Sequence, residues 1–262
     1  MEFVSIEKNG RIAVVRFQRD HKANALSRQV MDELTEAARS FEHDYETSAV
    51  ILSGRDDVFT LGRDLTDPKL ADIDKLGLAE RRKAIQVGPR LTKAWEEVEP
   101  VTIAAVEGWC VGGGVALAVA CDFRLMAKSG HMYVPEVARG FNMSWQSVPR
   151  IVNLIGPAKT KRLILQAEKL DATRSVDWGL ADEIADDGNV LGAAMEWATR
   201  IAAMPPVQVR MVKQGINAYA NALNHATSAM DADQFALAFS SGDRLEGITA
   251  FLEGREPDYT GE

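Results

Sequence analysis

Short apolar runs alternating with helix-period stretches set the tightest limit on how this chain can fold. FVSIE and RIAVVRF each alternate and are separated by Asn9-Gly10, which predicts a β-hairpin. Ser27 stands where a helix N-cap belongs, ahead of Val30, Leu34, Ala37, Ala38 and Phe41 on one helical face. SAVILSG, and VTIAAV after Pro100, are short, mainly apolar runs and read as buried strands. Between them, residues 54–74 are polar and read as a loop, and 75–97 read as helical. The order of strands, helix, strand, helix, strand predicts an α/β domain with a partly parallel sheet.

The next segment, EGWCVGGGVALAVACDFRLMA, reads as strand, glycine turn, buried helix and a strand at about 122–127. Beyond residue 155 the character changes. Lys161–Ala167, Val190–Ala203, Val207–Tyr219 and Thr227–Phe251 carry helical spacing, with Val209, Val212, Ile216 and Tyr219 forming one stripe. An all-helical tail is expected, packed on the first part of the chain or on a neighbouring subunit. No Gly-, Pro- or Ser-rich linker separates the two.

Composition excludes several functions. The 262 residues carry a net charge of −8, which disfavours general binding to nucleic acid or anionic membranes. The two cysteines are too few for a disulfide framework and fit a reducing cytoplasm. The longest uncharged apolar stretch, Trp109 to Cys121, falls short of the ~20 residues that cross a bilayer. The first residues have no basic or apolar leader pattern, so no signal peptide is expected. GxxxxGK[ST], GxSxG, HExxH, paired CxxC and GxGxxG are all absent, and the four histidines are scattered, so no metal site is expected. An enzyme built this way must work with backbone electrostatics and a few titratable side chains.

Gly112, Gly113 and Gly114 precede an apolar helix. Without Cβ atoms the backbone adopts positive φ, and a ligand approaches its N–H groups closely. A helix start favours an anion or a developing oxyanion. The same glycines also suit tight helix–strand packing, and this segment alone leaves both readings open. VFTLGRDL offers a second donor: Gly62 turns the chain, and the N–H of Arg63 follows it.

With these segments in order, the chain resembles the enoyl-CoA hydratase/isomerase (crotonase) superfamily. GRDL follows an apolar strand, AAVEGWCVGGGVALAVACD comes about 40 residues later, and YVPEVARG follows. NALS at Asn24–Ser27 is similar to the family's N-terminal signature, and EGITAFLEGREPDYTG at 246–261 to its C-terminal one. The resemblance implies a spiral of ββα repeats over residues 1–200 and a helical trimerisation region over 201–262. It implies an acyl-CoA thioester substrate, with coenzyme A as part of the substrate and no separate cofactor. It also implies a homotrimer or dimer of trimers. By motif position, the backbone N–H groups of Arg63 and Gly113 would hold the thioester oxygen, and Glu136 would be the acid/base.

The sequence departs from the family pattern in two places. Hydratases of the family usually add a second glutamate two residues after the glycine triplet, and here that position is Ala116. A single glutamate suits isomerisation of a 3-enoyl-CoA or a specialised hydratase/lyase. The alternatives are a conventional hydratase with a substitute second group and a non-catalytic acyl-CoA or RNA-binding member. The family's glycine-rich turn after the glutamate is replaced by Asn142-Met143-Ser144-Trp145-Gln146-Ser147. These bulkier groups are expected to reshape the acyl pocket, with Trp145 as a wall and Gln146 or Ser144 placed to hold a water. The resemblance further places Lys22, Ala23, Ala25 and Leu26 along the nucleotide of coenzyme A, and Asp64 and Leu65 at its adenine or pantetheine. It places Phe235 and Phe251 in C-terminal helices that often complete a neighbour's site. The tail lysine of some relatives falls at Gly254, with Arg255 adjacent as a substitute.

Overall fold

The computed structural model describes residues 1–20 and 23–262, so Lys22 lies outside the described residues. The hairpin forms as expected: β1 (Val4–Asn9) pairs antiparallel with β2 (Ile12–Phe17), with Gly10 at φ +57° in the turn. α1 (Arg28–Arg39) starts at Ser27, whose hydroxyl accepts the Val30 N–H at 3.3 Å. β3 (Ala49–Ser53) follows. The expected loop at 54–74 ends early, because α2 (Pro68–Ala71) and a 3₁₀ turn at Asp72–Lys75 occupy its second half. Pro68 begins α2, where proline's missing N–H costs nothing. The helical stretch at 75–97 is two helices, α3 (Leu78–Ile85) and α4 (Val87–Glu96), meeting at Gln86.

β4 (Val101–Val106) leads into β5 (Trp109–Val111), α5 (Gly113–Ala118), β6 (Phe123–Ala127) and β7 (His131–Tyr133). The tail departs from the all-helical expectation. After α6 (Ser147–Leu165) come β8 (Leu170–Asp171), α7 (Ala172–Trp178) and β9 (Glu183–Ala185). Only then does the chain become helical throughout, with α8 (Val190–Ala202), α9 (Pro206–Ala220), α10 (Asn224–Ser228), α11 (Asp231–Phe239) and α12 (Gly242–Glu253). Strands of two and three residues are too short to leave an alternating pattern, and their pairing partners lie far off in sequence.

A six-stranded sheet runs β1-β2-β3-β4-β6-β9, parallel except for the hairpin, and a three-stranded sheet runs β5-β7-β8. Both faces of the larger sheet are covered, so β3 and β4 are buried at every position. Val50, Leu52, Ala104 and Val106 join α1, α4 and α5 in the main core. Ala49, Ile51, Ile103 and Ala105 face Val190, Ala194 and Ala198 of α8. Between β4 and β5 the chain leaves the large sheet for the small one, carrying β5 to the start of α5. On α9, Val212, Ile216 and Tyr219 are exposed within this single chain. No helix among the described residues is long and apolar enough to cross a membrane.

Candidate active site

Three segments meet at the N-terminus of α5. The first is the loop around Gly62. Leu26 donates its N–H to the Gly62 carbonyl at 2.8 Å and accepts the Asp64 N–H at 3.1 Å. Parallel pairing of this kind turns the N–H of the intervening residue, Arg63, to the opposite edge. There the Arg63 N–H has no acceptor among the described residues. The second segment is the glycine triplet. Gly113 opens α5, so its N–H has no partner within the helix. A Cβ on Gly62 would lie 2.6 Å from the Val111 carbonyl and 3.4 Å from the Gly113 nitrogen. The two loops therefore run side by side, and both line one cavity of about 80 Å³.

The third segment carries Glu136, after Pro135 at the end of the β7 loop. Glu136 Oε1 fills the space where a Cβ of Gly112 would stand. Oε2 is shut away from solvent without a hydrogen-bond partner. Burial pushes the carboxyl up from its ordinary 4.5 to about 7, and its own backbone N–H and the Arg139 guanidinium offset this only in part. A carboxyl poised near neutrality suits proton transfer in both directions.

The raised value has a measurable consequence for stability. The folded chain holds the Glu136 proton more tightly than the unfolded chain does. The group's contribution is therefore complete below pH 4.5 and is lost as pH rises through about 7. Glu136→Gln removes that loss. At pH 8 the variant is expected to be about 3 kcal/mol more stable than the parent, and at pH 4 little different. Urea unfolding at the two pH values measures this. An equal change at both would show that Glu136 does not titrate as described.

Trp145 lines the same cavity. It is buried, and its ring is wedged against Gly88 of α4 and Gly113 of α5, where a Cβ on Gly113 would meet it at 2.6 Å. Its backbone lies at φ +61° and that of Gln146 at +57°. Thr92 Oγ1 donates to the Trp145 carbonyl at 2.7 Å, and Asp231 accepts the Gln146 N–H at 3.1 Å, which hold this unusual turn.

The sequence-derived candidates fall into two groups. Arg63, Leu65, Gly113, Glu136, Trp145 and Phe235 line the same cavity. The others do not. Ala25 and Leu26 are buried within the fold. The Asp64 carboxylate is also buried, and it takes Arg19 at 2.7 Å and the Thr66 hydroxyl at 2.7 Å. Ala23 and Gln146 do not line the cavity, whereas Ser144 does. Phe251 is exposed, with the Arg139 guanidinium 4.0 Å from its ring centroid. Arg255 pairs with Glu246 and Glu253. Phe235 reaches the cavity of its own chain, stacked on Phe141 at 5.7 Å. Asn24, within the NALS segment, is a buried staple whose amide donates to the Phe17 and Phe59 carbonyls at 3.1 and 2.8 Å.

Arg139, Asn142 and Met143 also line the cavity. The sequence marks Asn142 only as bulk, and nothing in it points to Arg139 beyond its place three residues after Glu136.

A family model described as enoyl-CoA hydratase/isomerase matches residues 7–262. The short-chain-enoyl-CoA hydratase of Clostridium acetobutylicum is 30% identical over 254 residues, covering 97% of this chain and 95% of its own. The crotonyl-CoA hydratase of Syntrophomonas wolfei is 29% identical over 259 residues, 98% of each chain. Among solved structures, carnitinyl-CoA hydratase from Mycobacterium avium superposes with a TM-score of 0.85 at 28% identity over 100% of both chains. The mixed α/β architecture, the order of the motifs and the near-complete coverage agree, and the chain belongs to the enoyl-CoA hydratase/isomerase (crotonase) family.

Proposed function

We propose that this protein binds an acyl-CoA thioester, stabilises its enolate with the backbone N–H groups of Arg63 and Gly113, and moves the proton with Glu136. The observation that carries the reading is the unpartnered Oε2 of Glu136 on a cavity that both unpaired amides also line. As the enolate forms, negative charge grows on the thioester oxygen. Preorganised N–H donors hold that charge without reorganisation, each worth about 3–4 kcal/mol in the transition state. Addition of water to a short 2-enoyl-CoA is the first reading, since the curated relatives above carry hydratase names. Ala116, which cannot transfer a proton, favours a second reading, the shift of a 3-enoyl double bond by Glu136 alone. Coenzyme A arrives as part of the substrate. The small cavity and the Trp145 wall favour a short or flat acyl group.

The successive strand pairs and helices are read as a spiral of ββα repeats in residues 1–200. The helical region 201–262 is read as the trimerisation element, with the exposed apolar residues of α9 on a subunit contact of a trimer or dimer of trimers. A cytoplasmic location fits the free cysteines.

Incubation with 2-enoyl-CoA, 3-enoyl-CoA and feruloyl-CoA tests the function. Turnover of one of these supports it. Tight coenzyme A binding without turnover of any would leave a binding protein instead. The pH profile is a further check. Glu136 must be ionised to accept a proton, so kcat/KM is expected to fall about tenfold per unit below pH 7 and to level off above it. A flat profile between pH 5 and 8 would remove Glu136 as the base.

A further inference from the structure

Glu136 Oε2 has a counterpart in the cavity. Asn142 Oδ1 is likewise shut away from solvent with no hydrogen-bond partner, and Asn142 lines the same cavity. The intervening turn brings the two residues round. The Glu136 carbonyl accepts the N–H of Arg139 at 3.0 Å and of Phe141 at 2.9 Å, and Gly140 reverses the chain at φ +72°. A buried polar atom left unpaired costs about 1–3 kcal/mol, so two in one small cavity point to a shared donor. A cavity of about 80 Å³ has room for a water, whose share of the liquid is about 30 Å³.

We propose that Asn142 positions the attacking water for Glu136, in the place of the second carboxylate that Ala116 lacks. The inference rests on the enolate-forming reading of the site. A water that donates one O–H to Glu136 Oε2 and the other to Asn142 Oδ1 keeps a lone pair free. Its oxygen bonds to the β-carbon of the 2-enoyl-CoA while the double-bond electrons move onto the thioester oxygen, between the N–H groups of Arg63 and Gly113. The water's proton passes to Glu136. The enolate then collapses, and its α-carbon takes that proton back, giving the 3-hydroxyacyl-CoA. An amide accepts a hydrogen bond but not a proton, so one carboxylate serves both steps and Asn142 only orients. Gln146, expected from the sequence as a water holder, does not line the cavity.

The test separates water attack from α-proton chemistry. Hydration of crotonyl-CoA is compared with α-proton exchange of butyryl-CoA in D2O, which needs Glu136 and the two amides but no attacking water. Asn142→Ala is expected to lower kcat for hydration between about 10- and 100-fold, with KM and the exchange rate within about threefold of the parent. Retained exchange also establishes that the variant is folded. Asn142→Asp, which keeps an acceptor there, is expected to recover part of the hydration. Equal loss of both reactions, or no loss of hydration, overturns the role of Asn142. A parent that exchanges the α-proton without hydrating overturns it too, while leaving the enolate reading intact. A parent that does neither overturns both.

Discussion

Glu136→Gln is expected to lower kcat/KM for acyl-CoA turnover by roughly 10²- to 10⁴-fold, the span typical of a lost general acid/base. The substitution keeps the shape of the side chain. It therefore leaves intact the packing against Gly112, where Glu136 Oε1 fills the space of a missing Cβ. Glutamine still accepts a hydrogen bond and still holds a water, but it cannot take a proton. The loss should fall on kcat, with KM nearly unchanged, because the amides of Arg63 and Gly113 and the cavity walls are untouched. Steady-state kinetics on the thioester that the parent turns over measure both constants. A loss smaller than about tenfold would mean that the proton travels by another group, and the proposed chemistry would fall with it.

Gly112→Ala is expected to be nearly as damaging, without touching an ionisable residue. Gly112 sits at φ 53° and ψ −111°, a backbone region closed to residues with a Cβ, so strain alone costs about 1–3 kcal/mol of stability. The new methyl group would also occupy the position of Glu136 Oε1. The carboxylate must move, and a displacement near 1 Å is enough to cost about 10²-fold in rate. Gly188→Ala is the control, because Gly188 also has positive φ, at +75°, but no atom lies within 4 Å of its Cβ position. It should lose a little stability and no activity. Thermal unfolding together with kcat for the two variants gives the comparison. Activity of Gly112→Ala within about threefold of the parent would show that Glu136 is not held against this glycine.

Local signals were enough wherever the physics is local. The Asn9-Gly10 hairpin, the Ser27 cap and the two apolar strands depend on neighbours in sequence, and each appears in the structure near its expected place. Part of the site was legible for a related reason. Gly62 and Gly112 must be glycine, one against the Val111 carbonyl and the other against the Glu136 carboxylate, and such demands leave a visible mark in a motif. Asn142 carries no such mark. An asparagine in a loop is ordinary until the fold buries its carbonyl oxygen without a partner on a cavity that also holds another unpaired acceptor. Asp64 misled in the opposite direction. It adjoins Arg63, which lines the cavity, but its carboxylate is taken up by Arg19 and Thr66.

The sequence by itself determined the alternation of strand and helix, because period and capping are properties of adjacent residues. It also determined which backbone positions had to be glycine. Only the tertiary structure decided that β9, three residues long, closes the large sheet, and that residues 63, 113, 136 and 142 share one cavity. Pairing across so many intervening residues depends on how the two sheets stack and where the chain crosses between them. Burial then sets the chemistry, because the same glutamate in water would keep its ordinary pKa, and it is raised here by the loss of solvent around it.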